Sequence, residues 1–192
     1  MINTTENSFT YDRYVPVTNS PRIADFEKVS FEQFKTAVET FIDNIDTGIV
    51  PFNDFLEATY EQITLPERVT SGSAGYDFRT PIPVTLDVNQ AIVIPTGIRC
   101  SMRNNYVLQL YPRSGLGFKF GMELVNTVGI IDADYYMADN EGHIMIKIRP
   151  TIHALQLTAG ERFAQGIFMP YGITTDDEAD GIRTGGIGSS GK

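Results

Sequence analysis

The stretch TLPERVTSGSAGYDFRTPIPVTLDVNQAIVIPTGIRCSM, residues 64–102, consists of short runs rich in β-branched and other apolar residues. Two of these runs are PVTLDV and AIVIP, and turn-forming residues interrupt the series at intervals of about 8–12 residues. YVLQLY and HIMIKI continue the pattern further along the chain. Runs of this kind are typical of β-sandwiches and jelly rolls, so the sequence predicts an all-β, jelly-roll fold.

The chain before this stretch has a different pattern. Residues 1–21 are polar and aperiodic and predict an N-terminal extension, after which FEKVS predicts a short strand. Ser30 then begins SFEQFKTAVETFIDNIDTG, in which apolar residues recur at helical spacing, Gln33 completes a capping box and Gly48 marks the expected end. PFNDFLEATYEQI predicts a second helix. Residues 31–62 therefore predict a small helical insertion, whose apolar stripe is expected to pack on the β body or, alternatively, to bind a protein partner.

Composition limits the class of protein. The chain has 192 residues, 20% of them charged, and a net charge of −9. This charge argues against nucleic acid or an anionic membrane as the main partner, since both require a basic face. A single cysteine, Cys100, excludes an internal disulfide framework, and from the sequence pattern we expect neither a membrane-spanning segment nor a secretory leader. We expect one β domain over residues 22–182 in a cytoplasmic protein.

The segment GIIDADYYMADNEGHIMIKI, residues 129–148, has apolar ends and a polar centre. It predicts two strands joined by a polar hairpin. Asp132 and Asp134 would point to one face of a strand. They could bind Mg²⁺, provide a general base with a structural neighbour, or simply form the turn.

Two further segments combine arginine with glycine. YPRSGLGFKFG, residues 111–121, places Arg113, Ser114 and Gly115 together, which suits phosphate oxygens, although a surface arginine beside an ordinary turn explains it equally well. RTGGIGSSG, residues 183–191, has the composition of a lid that closes over an anion, or of a disordered terminus. Residues 183–192 are accordingly expected to form a flexible C-terminal arm.

Five segments in this order resemble the five motifs of the trimeric dUTPase family. They are SAGYDF (73–78), YPRSGLGF (111–118), NTVGIIDADYY (126–136), GERFAQ (160–165) and RTGGIGSSG (183–191). The resemblance implies a jelly-roll homotrimer whose active sites lie between subunits and which hydrolyses dUTP to dUMP and pyrophosphate with Mg²⁺.

The resemblance also implies a role for each matching residue. Asp132 would deprotonate the water that attacks the α-phosphate, and Asp77 would support it near the metal waters. Tyr135 would lie against the deoxyribose and exclude a 2′-hydroxyl. Mg²⁺ would have no direct protein ligand and would bind through phosphate oxygens and waters. The residues implied to contact the uracil are Asn126, Gly129, Ile131 and Ile187, and those implied to contact the phosphates are Arg113, Ser114, Gly115, Gln165, Arg183, Gly188, Ser189 and Ser190.

The sequence departs from the family pattern in three places. Ile187 stands where the family has an aromatic residue over the uracil, so weaker binding is expected. YYMADNEG replaces a shorter Tyr-Arg-Gly, which puts Tyr136 at the usual arginine and predicts a longer hairpin. The helical insertion is the third departure. For Arg162 we predict a structural role, since a long arginine stem often packs over a sheet edge.

Two other functions compete with dUTP hydrolysis. A dCTP deaminase shares the fold but needs a glutamate shortly after the hairpin glycine, where this chain has Lys147. A regulatory binding protein with reduced catalysis would use the insertion, the long hairpin and Ile187. Retention of Asp132 together with Tyr135 favours the hydrolase.

Overall fold

The computed structural model describes residues 20–42 and 50–186, and its regular structure is mainly β. The strands are β1 (Ala24–Lys28), β2 (Tyr76–Arg79), β3 (Val84–Leu86), β4 (Ile92–Pro95), β5 (Ile98–Met102), β6 (Tyr106–Pro112), β7 (Glu123–Leu124), β8 (Gly129–Ile131), β9 (Met145–Arg149), β10 (Leu155–Leu157) and β11 (Arg162–Pro170). The helices are α1 (Phe31–Phe41), α2 (Phe52–Glu61), α3 (Ser114–Phe120) and a 3₁₀ helix at Ala133–Met137. The all-β class predicted from the sequence is confirmed.

The strands form four antiparallel groups. The largest sheet has the order β2-β11-β6-β8, and a second has the order β4-β9-β7. Two pairs, β1-β5 and β10-β3, complete the architecture. Because β8 ends the four-stranded sheet, one side of its backbone has no strand partner among the described residues.

One hydrophobic core connects all four groups. Phe78 of β2, Leu108 of β6 and Phe163 of β11 lie in the same buried cluster as Ile146 of β9 and Leu86 of β3. In β3 and β9, buried residues alternate with more exposed ones, as expected for strands with one face turned to the core. The described strands therefore belong to one domain.

The helix α1 begins where the sequence predicts and ends earlier. The Ser30 hydroxyl accepts a hydrogen bond from the backbone N–H of Gln33, so Ser30 is the N-cap. The predicted end at Gly48 is wrong, because Ile42 has an extended backbone and the helix stops at Phe41. The sequence after Phe41, Ile-Asp-Asn-Ile-Asp, consists of residues with poor helix propensity, which accounts for the early stop. Residues 43–49 lie outside the described part of the chain.

The two helices pack on the β body and on the first strand. Phe34 and Val38 of α1 and Leu56 of α2 are buried in the common core. The Lys28 ammonium, at the end of β1, donates to the carbonyls of Tyr60 and Glu61 at 2.9 and 3.1 Å and so caps the C-terminus of α2. The apolar stripe of the predicted insertion thus faces the protein's own core.

Replacing Phe34 with alanine is expected to destabilise the fold by about 3–5 kcal/mol, because it leaves a cavity in the core. Phe41 provides a matched control: it is a phenylalanine of the same helix with 39% of its surface exposed. Phe41→Ala should cost about 1 kcal/mol or less. Urea unfolding of both variants at equal protein concentration measures the difference, and equal costs would contradict the packing of α1 on the core.

The segment predicted to be a hairpin crosses between sheets instead. β8 pairs with β6, whereas β9 pairs with β4 and β7, so these two strands are not neighbours. Residues 132–144 connect them through the 3₁₀ helix, and Asp132 and Asp134 do not lie in a strand. Tyr135, which is 4% exposed, draws this connection inwards. The apolar and polar pattern correctly predicted both strands, but it carried no information about their partners.

Candidate active site

Strand register aligns three of the sequence-predicted residues at one end of the four-stranded sheet. Gln165 of β11 pairs with Asp77 of β2 on one side and with Tyr111 of β6 on the other. Arg113 follows the end of β6 directly. The first, second and fourth motifs therefore meet here, and we call Asp77, Arg113, Arg162 and Gln165 the arginine group.

Asp77 holds the two arginines of this group. Its Oδ2 lies 2.9 Å from Arg162 Nη1, and its Oδ1 lies 3.7 Å from Arg113 Nε. The Asp77 side chain is only 14% exposed. Each carboxylate oxygen thus faces a guanidinium, an arrangement that orients the two cations.

The loop after Arg113 opens into a helix. Ser114 and Gly115 form the first turn of α3, where backbone N–H groups have no partner within the helix. Both residues are exposed, and a Cβ on Gly115 would meet nothing within 4 Å. Gln165 Nε2 donates to the Pro112 carbonyl at 3.3 Å and so fixes the start of the loop. The arginine group and these N–H groups together can bind an anion with several oxygens.

A second group lies beyond the other end of β6. Arg183 Nη1 is 3.0 Å from Asp132 Oδ2 and 3.3 Å from Asp134 Oδ1. The Arg183 guanidinium also stands over the Tyr135 ring, 4.9 Å from its centre. We call Asp132, Asp134, Tyr135 and Arg183 the aspartate group.

Hydrogen bonds fix Tyr135 within this group. Its hydroxyl donates to the His143 carbonyl at 2.8 Å and accepts from Asn140 Nδ2 at 2.8 Å. Burial raises the pKa of the Tyr135 hydroxyl, although the Asn140 hydrogen bond and Arg183 act in the opposite direction. Tyr135 is therefore a neutral, rigid ring whose face Arg183 covers in this conformation.

Two of the four uracil-contacting residues implied by the resemblance lie in β8. Gly129 and Ile131 pair with Leu110 and Leu108 of β6, and a Cβ on Gly129 would stand 3.0 Å from the Leu110 Cβ. Asn126 is exposed in the turn before β8, next to Thr127, which has a positive φ of 69°. Ile187, Gly188, Ser189 and Ser190 lie outside the described residues.

One chain does not bring the two groups together. Ile131 pairs with Leu108, and the antiparallel register carries Asp132 towards Val107, whereas Arg113 follows the opposite end of β6. The strand rise gives a separation of about 20 Å along β6. The resemblance implies that Arg183 serves the phosphates, yet here Arg183 lies with the aspartates.

The C-terminal arm encloses a cleft beside the aspartate group. The backbone N–H of Asp139 donates to the Thr184 carbonyl at 3.1 Å, which docks the arm on the connection between β8 and β9. The cleft has a volume of about 1130 Å³, a size that can hold a nucleotide. Its lining includes Asn104, Asn105, Asp132, Asp134, Tyr171 and Arg183.

Sequence reasoning missed Asn140 and His143, which support Tyr135. His143 is fully buried, and its Nε2 accepts a hydrogen bond from the Gly97 N–H at 2.8 Å. The neutral ring therefore carries its proton on Nδ1. Both residues stand in a polar run whose composition indicates only a turn, so the sequence contained no pattern that could identify them.

His143 should make the fold less stable in acid. Burial lowers the pKa of His143 to about 4, while Glu141 acts weakly in the opposite direction. Since the folded state favours the neutral ring, its stability is complete above the ordinary pKa of about 6.5 and decreases as the pH falls towards 4. We expect a loss of about 2 kcal/mol between pH 7 and pH 4.5 from this residue.

His143→Gln provides the comparison, because the glutamine oxygen can still accept from Gly97 but does not titrate. Urea unfolding of the variant should change about 2 kcal/mol less between pH 7 and pH 4.5 than that of the wild type. The same pH dependence in both proteins would contradict this role of His143.

The sequence model of the dUTPase family matches residues 61–191, which include both groups. The chain belongs to the dUTPase family. It is 41% identical over 133 residues to a deoxyuridine 5′-triphosphate nucleotidohydrolase of Lactococcus lactis, covering 67% of this chain and 89% of the relative. The helices α1 and α2 lie almost entirely before the residues that the family model matches.

Solved structures of the family agree with the fold. A dUTPase from Streptococcus mutans superposes with a TM-score of 0.53 at 39% identity, covering 57% of this chain and 88% of that one. A mutant dUTPase from phage phi11 of S. aureus, described with a structural Mg(II) ion, gives a TM-score of 0.53 at 22% identity. It covers 63% of this chain and 92% of the phage protein, and at this identity it supports the fold alone.

Within residues 20–42 and 50–186, no helix has both the length and the apolar character needed to span a bilayer. In the same ranges, no group of three or more His, Cys, Asp or Glu side chains could hold a metal ion.

Proposed function

We propose that the protein hydrolyses dUTP to dUMP and pyrophosphate, with Asp132 as the general base. The observation that carries this proposal is the position of Asp132: it follows the edge strand β8, and its carbonyl accepts a hydrogen bond from the N–H of buried Tyr135 at 3.1 Å. A nucleoside bound along β8 would present its 5′-phosphates near this carboxylate. Membership of the dUTPase family indicates the reaction, and the aspartate group contains the carboxylate that serves as the base.

Edge strand β8 reads the uracil. An unpaired strand edge offers alternating N–H and C=O groups, which suit the alternating acceptors and donor of a uracil edge. Gly129 and Ile131 provide this backbone, and Asn126 adds a side-chain amide. Their close fit leaves no room for a 5-methyl group, while Tyr135 packs against the deoxyribose and excludes a 2′-hydroxyl.

The arginine group of a neighbouring copy holds the phosphates. Since about 20 Å separates Arg113 from Asp132 along β6, one chain cannot place both on the same triphosphate. Arg113, Ser114, Gly115 and Gln165 of one subunit therefore face Asp132 of another. A closed homotrimer, the assembly that the family resemblance implies, repeats this interface at each site.

For catalysis, the ion pair between the Asp132 carboxylate and the Arg183 guanidinium must break. The triphosphate carries several negative charges and competes with the aspartates for the guanidinium, so Arg183 moves to the γ-phosphate. Asp132 then takes a proton from water, whose oxygen bonds to the α-phosphorus while the bond to the bridging oxygen of pyrophosphate breaks. Asp77 acts at a distance from this step by orienting Arg113 and Arg162. The arm residues Ile187, Gly188, Ser189 and Ser190 cover the substrate.

Magnesium fits this site as a partner of the substrate. The carboxylates of Asp132 and Asp134 are 54% and 58% exposed and can accept hydrogen bonds from the waters of a magnesium ion. The ion itself would bind through triphosphate oxygens and waters, with no direct protein ligand. When bound, Mg²⁺ supplies positive charge that neutralises the triphosphate.

Pyrophosphate release from dUTP, dTTP, UTP and dCTP, measured with Mg²⁺, tests the function. We expect rapid release from dUTP and at least about 100-fold slower release from the others. Ammonia release from dCTP would indicate deamination, for which exposed Lys147 offers no carboxylate. Binding of dUTP without hydrolysis would favour the regulatory alternative. The predicted cytoplasmic location stays a prediction.

A further inference from the structure

The connection between β8 and β9, residues 132–144, carries Asp132 and Tyr135 and touches the N-terminal segment at two points. We infer that the N-terminal segment, residues 24–41, positions these two residues for dUTP through Tyr136 bound to Glu27 and Glu141 bound to Ser30. This inference rests on the proposed function. Glu27 and Ser30 lie before the residues that the family model matches, so the model covers only one side of each contact.

The first contact joins the 3₁₀ helix to β1. The Tyr136 hydroxyl donates to Glu27 Oε2 at 2.9 Å. Arg99, which is opposite Glu27 in the β1–β5 pair, binds the same oxygen at 2.7 Å and stands 4.4 Å from the centre of the Tyr136 ring. The hydrogen bond from Tyr136, together with Arg99, lowers the pKa of Glu27, so the acceptor is a carboxylate. Tyr136 is therefore held at its ring and at its hydroxyl.

The second contact joins the other end of the connection to α1. Glu141 accepts hydrogen bonds from the Ser30 N–H at 2.7 Å and from the Ser30 hydroxyl at 2.6 Å. Ser30 is the N-cap of α1, where a negative charge is favoured by the helix dipole. Burial acts to raise the pKa of Glu141, but the two bonds from Ser30, with smaller contributions from Arg99 and His143, together lower it.

Backbone geometry makes the second contact specific. Glu141 and Gly142 have φ angles of 58° and 68°, in the left-handed region. A Cβ at Gly142 would stand 2.7 Å from the Tyr135 carbonyl, so the chain folds tightly back on the 3₁₀ helix. An uncommon backbone conformation at Glu141 is retained only where its surroundings stabilise it. The bonds from Ser30 provide that stabilisation.

Each contact is made by a residue that adjoins either Tyr135 itself or a residue bound to it. Tyr136 follows it directly, and Asn140, which precedes Glu141, donates to its hydroxyl. The Tyr135 N–H in turn donates to the Asp132 carbonyl at 3.1 Å. A shift of either contact therefore moves the ring and the carboxylate together. Small displacements of this kind reduce catalysis because reacting groups lose their alignment.

The N-terminal segment that carries Glu27 and Ser30 is itself held in place by packing and hydrogen bonds. Phe26 of β1 packs against Tyr76, Phe78 and Phe168, with ring centres 5.4 to 5.8 Å apart. Tyr60 of α2 donates to the Val29 carbonyl at 2.7 Å and fixes the segment between β1 and α1. Glu27 and Ser30 are thus positioning residues, held by the body of the protein.

The test compares the full-length variant Tyr136→Phe/Glu141→Ala with the matched control Thr40→Ala. The control removes the hydroxyl hydrogen bond from Thr40 to the Thr36 carbonyl at 2.7 Å, near the end of α1, and touches neither the connection nor the residues that hold Glu27 and Ser30. We expect kcat/KM for dUTP to fall about ten-fold in the double variant and to stay within about two-fold of wild type in the control. Glu141→Gln, which retains an acceptor for the Ser30 N–H, should recover most of the loss caused by Glu141→Ala.

Amide hydrogen exchange provides a readout without substrate. Exchange in residues 132–142 should be faster in the double variant and unchanged in the control, whose effect is confined to the last turns of α1. Tyr136→Phe alone serves if the double variant does not fold. The inference would be overturned if the double variant, or Tyr136→Phe where the double variant does not fold, kept the kcat/KM of the wild type. It would also be overturned by a lower kcat/KM without faster exchange in residues 132–142. A wild-type protein inert towards dUTP would instead refute the proposed function, and the exchange experiment would still test the two contacts.

Discussion

Asp132→Asn is expected to lower kcat for dUTP by about 10²- to 10⁴-fold, because an amide cannot take the proton of the attacking water. Asparagine has nearly the same shape, so dUTP should still bind, and the measured KM or the affinity for a non-hydrolysable analogue should change little. Pyrophosphate release at saturating dUTP measures the effect.

Asp134→Asn is the matched control for this substitution. Both carboxylates contact the same guanidinium of Arg183, and both are more than half exposed. A purely electrostatic role would give similar losses in the two variants. A catalytic role of Asp132 predicts that the Asp134 variant keeps most of its kcat, and an equally inactive Asp134→Asn would show that the base is wrongly assigned.

Two inactive variants should restore activity when they assemble together. Arg113→Ala removes a phosphate contact, and Asp132→Asn removes the base, so each homotrimer should be nearly inactive. In a mixed cyclic trimer, one of the three interfaces joins an intact Arg113 to an intact Asp132. Doubly tagged trimers, purified after co-expression through both tags, should therefore show about a third of wild-type activity.

The control for this experiment is one chain carrying both substitutions, co-expressed with itself under the two tags, which should show no recovery. If one chain alone formed the whole site, the mixed trimers would be as inactive as their parents. Absence of recovery in verified mixed trimers would thus contradict the shared site, even if dUTP hydrolysis itself is confirmed.

Local patterns predicted much of the fold. Ser30 is the N-cap of α1, Phe34 and Val38 pack inwards, and the runs around Ile94, Leu108 and Ile146 are strands. These features depend on residues close in sequence. The family membership was also predictable, because five motifs in order are far more specific than one.

Contacts between distant residues were not predictable. The segment predicted to be a hairpin, residues 129–148, is a crossover because β8 pairs with β6 and β9 pairs with β7 rather than with each other. Ser30 binds Glu141 across 111 positions, and no local pattern indicates such a pair. The pairing of Arg183 with Asp132 depends likewise on the path of the arm. The roles assigned to the individual site residues stay predictions.

The length of β6 has a consequence for how activity depends on protein level. In the proposed shared site, the two ends of β6 hold complementary halves, so a newly made or diluted subunit would have no working site and hydrolysis would begin only when subunits meet. We expect specific activity to fall on dilution below the assembly threshold, and total activity there to rise more steeply than concentration. A modest decrease in synthesis near that threshold would remove a disproportionate share of the activity.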